Sequence, residues 1–321
     1  MTRRPYTRSG AGSLHSVLGV EEAASRETVG TDPHLRRRRV PRWLALFVLA
    51  AGAATLLLVA GCREWTARSS VPSGTIVWQV GYEAGNFGAW IPQSSCTGRS
   101  YEPSEVGEGC ASVVGEPARY GRYSGRFEVR ASDTRSDTER AELYVGVAAS
   151  GGREGEEWYY GWSTMFPAAG NSAGFSRANS DFNVFTSWHN ADGPCGGNVV
   201  FGIDALSTPA PRIYFTLAGR DSRKCAQITS RRKYFLPLRY DHWYDFVARI
   251  KWSSDPGRGS VEVWVDGEAW VPPLTGATML NANGAYWKQG FYRAAWDGGT
   301  NTVHHDGARR GDSRSAVEQQ P

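Results

Sequence analysis

Three short stretches of the chain carry side chains able to hold a carboxylate, take a proton and return one. In Glu139-Arg140-Ala141-Glu142-Leu143, Arg140 has the planar fork that suits bidentate carboxylate binding. Strand alternation puts Arg140 on the face of Glu142 and opposite Glu139 and Ala141. A salt bridge to Glu139 or Glu142 is the structural alternative for this guanidinium. His189 follows Trp188 at the end of an apolar run, just before Asn190-Ala191-Asp192-Gly193-Pro194. A strand end beside a loop suits a groove rim, and an imidazole that titrates near neutrality suits proton removal. A hydrogen-bonded structural histidine is the alternative. In Tyr286-Trp287-Lys288-Gln289-Gly290-Phe291-Tyr292-Arg293, positions 286, 288, 290 and 292 share one face of a regular strand. That face offers two phenols for acid–base work, an ammonium for an anion, and a glycine that leaves room for a ring. Buried tyrosines with bonded hydroxyls are the alternative.

The elements that must position these residues are strands. From residue 75 onward the text is short apolar or alternating runs: 122–130, 157–166, 181–189, 198–203, 212–217, 243–252, 260–265 and 288–294. Ser253-Ser254-Asp255-Pro256-Gly257-Arg258-Gly259 joins two of them, and Asp266-Gly267 turns the next hairpin. His304-His305-Asp306-Gly307 reads as a final strand and turn. No amphipathic helix of convincing length follows residue 75. Such a series predicts an all-β sandwich or jelly roll, and the tail 313–321 is expected to fray. Most of Trp78, Trp90, Trp158, Trp162, Trp264, Trp270 and Trp287 are expected to pack inside, with one or two left to stack on sugars.

Taken in order, Glu139–Leu143, Glu157-Trp158-Tyr159-Tyr160-Gly161-Trp162-Ser163, Phe185-Thr186-Ser187-Trp188-His189, Trp243–Ser253, Val263-Trp264-Val265-Asp266-Gly267 and Tyr286–Arg293 resemble the heparin-lyase-I-like and glucuronan-lyase-like polysaccharide lyases. The resemblance runs over about residues 77–310 and implies a concanavalin-like β-jelly roll. It also implies β-elimination on a uronic-acid-containing polysaccharide: removal of the C5 proton, with the neighbouring carboxylate neutralised and the leaving oxygen protonated. His189 is then the base, Tyr292 the preferred acid over Tyr286, and Arg140 and Lys288 the anion binders. In the resembled lyases Gln commonly stands where this chain has Ser187, so an amide donor is missing from the expected substrate-binding set. The family implies calcium as a possible cofactor; the sequence shows no dense Asp loop for it, and no cofactor is expected. The rival readings are a non-catalytic carbohydrate-binding sandwich, a glycoside hydrolase and a structural envelope protein. Hydrolysis needs two carboxylates at set spacing, and Glu139 and Glu142 face opposite sides of a strand.

The N-terminus speaks to location. Arg36-Arg37-Arg38-Arg39 lies in a basic region 1–42 and precedes an uncharged stretch, 43–61, of roughly bilayer-spanning length. Val59-Ala60-Gly61-Cys62 resembles a bacterial lipoprotein box with Cys62 as the lipidated residue; an uncleaved anchor or plain secretion are the alternatives. A linker, 62–76, leads into the domain 77–312. Each alternative puts the body outside the cytoplasm. Of the net charge of +4, residues 1–61 carry +5 and the remainder −1. The basic balance therefore belongs to the export segment, and no nucleic-acid partner is expected. Beyond Cys62 four cysteines remain, and local loop closure favours Cys96–Cys110 and Cys195–Cys225.

Overall fold

The computed structural model describes residues 74–94, 110–135, 138–177, 182–191, 195–206, 210–220 and 228–319. The stretch 43–61, Cys62, Cys96 and Cys225 lie outside the described residues. Cys110 and Cys195 are disulfide-bonded. Among the described residues no helix is long and apolar enough to cross a membrane.

Among the described residues, two antiparallel sheets of eight strands each form the body. The first runs β14 (Glu268–Thr275), β13 (Ser260–Val265), β12 (Trp243–Lys251), β7 (Glu157–Met165), β16 (Asn301–Gly311), β4 (Ser124–Val129) and β3 (Ala111–Val114), with β1 (Ile76–Val80) also on β16. The second runs β11 (Ile228–Pro237), β10 (Arg212–Arg220), β9 (Val199–Asp204), β8 (Asn183–Asn190), β15 (Ala285–Ala294), β6 (Thr138–Val145) and β2 (Ile91–Ser94), with β5 (Thr134–Arg135) on β6. The all-β sandwich expected from the sequence is what forms. Each of the eight foreseen runs overlaps a strand, and the α-helices among the described residues, α1 (Val147–Ser150) and α2 (Arg314–Val317), are one turn long.

Period-two burial explains why these residues pair as they do. In β13, Val261, Val263 and Val265 point into the core while their neighbours are half-buried. Asp266 and Gly267 both take positive φ, 53° and 83°, which a two-residue turn between twisted strands requires. The core between the sheets is aromatic. Trp188 and Trp287 of the second sheet stack at 5.2 Å, and Trp162 of the first sheet meets both edge-on at 5.8 and 5.7 Å. Fully burying a large apolar side chain contributes about 1.5–3 kcal/mol, so this cluster is a principal source of cohesion.

Residues 313–319 of the C-terminal tail are docked rather than frayed. Ser313 caps α2, Val317 is fully buried with Ala316 against Val247, and the chain beyond Gly161 is close-packed: a Cβ on Gly161 would lie 2.2 Å from the Val317 carbonyl oxygen. Two apolar residues in a polar tail are enough to hold it.

Candidate active site

The outer face of the second sheet forms a cleft of about 670 Å³. It brings together Arg140, Ser187, His189, Tyr286, Lys288 and Tyr292, all of the non-cysteine candidates read from the sequence. Strand register explains the meeting. Across β15 and β8, Tyr286 faces His189 and Lys288 faces Ser187; across β15 and β6, Tyr292 faces Arg140.

His189 is half-buried, and its Nδ1–H donates to the Asn190 carbonyl at 2.8 Å. That bond fixes the tautomer and leaves Nε2 with its lone pair, the form a base needs. Burial, and then the positive charge of Lys288, hold its pKa below the ordinary histidine value, with the Asn190 bond and Glu142 opposing. The imidazole packs against the Tyr286 ring at 5.2 Å. Burial first, and Glu142 next, raise the Tyr286 phenol, so it keeps its proton at neutral pH.

Tyr292 belongs to the other end of the same strand face. The Arg140 guanidinium lies over its ring at 4.1 Å, and Phe182 packs on it at 4.9 Å. Arg140 Nε is also 3.0 Å from Glu142 Oε2, so the salt-bridge alternative is realised together with the open position. A quarter of the Arg140 side chain remains exposed.

Two expectations change. Lys288 is only 3% exposed and its ammonium donates to Glu142 Oε2 at 2.6 Å. It therefore holds Glu142, and through it Arg140, rather than presenting itself to a sugar. Burial pulls the ammonium pKa down and Glu142 pushes it back up. Gly290 does not open space for a ring. Its φ is 138°, and a Cβ there would stand 2.2 Å from the Ala141 carbonyl oxygen. It permits the irregularity between Gln289 and Tyr292, where β15 gains a residue on β8 while keeping step with β6.

Glu142 is thus the residue sequence reasoning undervalued. Its place on the face of Arg140 was readable, but its partner Lys288 is 146 residues away. Among the described residues that line the cleft it is the single carboxylate, against Arg140, Arg220, Arg231 and Lys288. The tryptophans foreseen as sugar platforms do not line it; Tyr214, Tyr286 and Tyr292 are the aromatic surfaces, with Phe182. Among the described residues no group of three His, Cys, Asp or Glu is placed to hold a metal ion.

A second hollow, of about 610 Å³, lies against the first sheet. Its charged groups are closed on one another. Arg119 forks onto Asp245 at 3.0 and 2.5 Å, and Ser163 and Tyr120 hydroxyls donate to the same carboxylate at 2.6 and 3.1 Å. Asp306 accepts the backbone N–H groups of Arg119 and Tyr120, and burial pushes its carboxyl up to about 6. His304 and His305 are buried in β16, one on each side of the strand as expected.

Among solved structures, an endo-β-1,4-glucuronan lyase from the fungus Trichoderma reesei matches with a TM-score of 0.53 at 15% identity, over 76% of this chain and 98% of that one. The catalytic domain of a glycoside hydrolase family 131 protein from Coprinopsis cinerea matches at 0.51 and 12% identity, over 77% and 98%. A family 131 β-glucanase catalytic domain from Podospora anserina matches at 0.50 and 15%, over 76% and 99%. Lyase and hydrolase share the sandwich, so these likenesses establish the fold alone. No curated protein matches the chain. The family model described as Polysaccharide lyase matches residues 84–309, from before β2 to within β16, and so spans every strand that builds the cleft. The chain belongs to the Polysaccharide lyase family.

Proposed function

We propose that the protein cleaves a uronic-acid-containing polysaccharide by β-elimination in the cleft, outside the cytoplasm. The observation that carries this reading is the convergence on one face of His189, two tyrosines and Arg140, in a cleft where, among the described residues, four cations stand against one carboxylate. Arg140 takes the substrate carboxylate and stabilises the enolate-like charge that develops when C5 loses its proton. His189 Nε2 removes that proton, and Tyr292, next to the clamp, protonates the departing O4. The products are a new reducing end and a sugar with a C4–C5 double bond. Carboxylate neutralisation is assigned to Arg140.

One contact favours a second assignment of the acid. The Tyr286 ring packs on His189, and burial raises its phenol pKa so that it keeps its proton at neutral pH. The Tyr292 ring lies 6.0 Å from the Lys288 ammonium, on the Arg140 side of the cleft, so the two phenols are alternative acids for one linkage. Export is supported by the arginine run, the apolar stretch and the lipoprotein-like box ending at Cys62. The disulfide pairing proposed is Cys96–Cys110 and Cys195–Cys225; peptide mapping without reductant decides it.

The test is ultraviolet product formation by the protein on a panel of uronate polymers, glucuronan first, because the conjugated double bond absorbs and hydrolysis products do not. Chromophore formation retained in Tyr286→Phe and lost in Tyr292→Phe supports Tyr292; the reverse moves the acid to Tyr286. Polymer binding without any chromophore across the panel would replace this reading with a binding module.

A further inference from the structure

His189 is held by more than the strand that carries it. The residue after it, Asn190, ends β8, is 1% exposed, and has its side-chain amide engaged at both ends. Its Nδ2 donates to the Gly196 carbonyl at 2.6 Å and to Asn198 Oδ1 at 3.0 Å, and its Oδ1 accepts the Leu280 N–H at 2.8 Å. Asn198 is fully buried and continues the series: its Nδ2 donates to the Ala277 carbonyl at 3.1 Å. These partners fix the orientation of both amides, since a flipped Asn190 would set its own oxygen against the Gly196 carbonyl.

Three separate stretches therefore meet at one amide: the end of β8, residues 195–198 leading into β9, and the connection 276–284 between β14 and β15. The second of these begins at the disulfide-bonded Cys195. It lies against the backbone of the base itself, because a Cβ on Gly197 would stand 2.3 Å from the Trp188 carbonyl oxygen and 3.5 Å from the His189 nitrogen. The third stretch ties the next peptide. The Ala191 N–H donates to the Gly284 carbonyl at 2.9 Å. That N–H shares a peptide plane with the Asn190 carbonyl, which is the acceptor for His189 Nδ1–H. A planar peptide held by its N–H on one side, and by the Asn190 side chain on the other, cannot turn its carbonyl away from the imidazole.

We propose that Asn190 and Asn198 are positioning residues for the base: their buried amides fix the peptide whose carbonyl selects the Nδ1–H tautomer of His189, and so keep Nε2 unprotonated toward the cleft. The inference rests on the lyase reading for its effect on rate, but not for its effect on the imidazole. Without a fixed carbonyl at Nδ1 both tautomers are populated, and the Nε2–H form has no lone pair there to take a proton. Arg140 and Tyr292 stand on β6 and β15, outside this series of bonds, so the binding of polymer is left as it is.

The experiment compares the full chain with Asn190→Ala, Asn198→Ala and Asn198→Asp, each checked by a melting curve. Nitrogen-15 NMR of labelled histidines reads the tautomer, with the His189 signal identified by its loss in His189→Ala. Initial rates on a 1,4-linked polyglucuronate give kcat and KM. The parent should show one tautomer, protonated at Nδ1. Asn190→Ala should give a mixture of tautomers, with kcat lower by roughly ten- to a hundredfold at unchanged KM, the loss expected of a displaced group. Asn198→Ala removes one of the three bonds and should lower kcat about threefold, with a smaller change of tautomer. Asn198→Asp keeps an acceptor for Asn190 Nδ2 and should retain the tautomer and kcat of the parent. A lowered melting temperature in Asn190→Ala, with the Nδ1–H tautomer and kcat intact, would reduce these amides to scaffold and overturn the inference. So would a rise in KM alone, or Asn198→Asp behaving as Asn198→Ala does. If Asn190→Ala does not fold, the two Asn198 variants decide by the same readings. If the parent makes no chromophore, the lyase reading fails and the tautomer alone decides: a mixture in Asn190→Ala upholds the positioning role, and a single Nδ1–H form rejects it.

Discussion

β6 and β15 carry one ion pair on each face of the same two-strand ladder, and the two pairs do different things. On the core side Glu139 meets Arg293, its direct partner in register, with both side chains fully buried. Arg293 completes its shell with the Asn301 side chain and the Gly299 carbonyl at 2.7 Å. On the cleft side Glu142 meets Lys288 and Arg140, and Arg140 keeps a quarter of its surface open above Tyr292. The chemistry of the pairs is nearly the same. What separates scaffold from site is where the remaining donors point: inward onto protein acceptors, or outward into a cleft. The hollow around Arg119 and Asp245 obeys the same rule, since its charges are turned on each other.

The largest effect expected on the cleft side is on rate. His189→Ala removes the proposed base and should lower turnover by about 100- to 10,000-fold, with the melting temperature close to that of the parent. Ultraviolet product formation and a melting curve measure both. A near-normal rate in this variant would remove His189 from the mechanism.

On the core side the effect should be on stability. Glu139→Ala strands the Arg293 charge in the interior, which typically costs about 3–5 kcal/mol, or on the order of 10 °C in melting temperature for a domain of this size. Activity per folded molecule should hold. If this variant melts like the parent, the contrast between the two faces is wrong.

Glu142→Gln should fall between. The amide still accepts a bond from Lys288, so the stability loss should be about 1–2 kcal/mol. Arg140 and Lys288 lose the charge that holds them in place, and kcat should fall roughly tenfold, equivalent to about 1.4 kcal/mol. A variant that loses stability as Glu139→Ala does, with kcat intact, would make both pairs structural.

Much of this contrast was readable before any coordinates. Period two set Glu139 and Glu142 on opposite faces and put Tyr286, Lys288 and Tyr292 together, because alternation is a property of the local chain. The β13–β14 turn was readable for the same reason. What escaped were facts set by distant pairing. Lys288 looks like an anion binder until β6 places Glu142 beside it. Gly290 looks like space until the Ala141 carbonyl occupies that space. Arg231 sits in Arg231-Arg232-Lys233, where a charge run hides the alternation; only pairing with Ala218 of β10 assigns its face. The run Tyr214, Thr216, Ala218, Arg220 was the one local signal that this strand continues the cleft.

The smallest effect expected is on pH dependence, and it sharpens the comparison because only the cleft-side pair surrounds a titrating base. Burial, then the positive charges of Lys288 and Arg140, favour neutral His189, while the Asn190 carbonyl and Glu142 favour the charged form. The lowered value means that the folded protein binds fewer protons here than the unfolded chain does. The part of stability linked to this group is therefore present above the ordinary value of 6.5 and is lost as pH falls below it. The same sign applies to activity: the base stays competent below 6.5, so the acid limb of kcat/KM in the free enzyme should lie beneath that value. Glu142→Gln removes an influence that raises the histidine, so its acid limb should move further down. Glu139→Ala, on the far side of the sheet, should leave the limb where it is. A limb at or above 6.5 in the parent, or one that moves with Glu139 and not with Glu142, would assign the titration to a group other than His189.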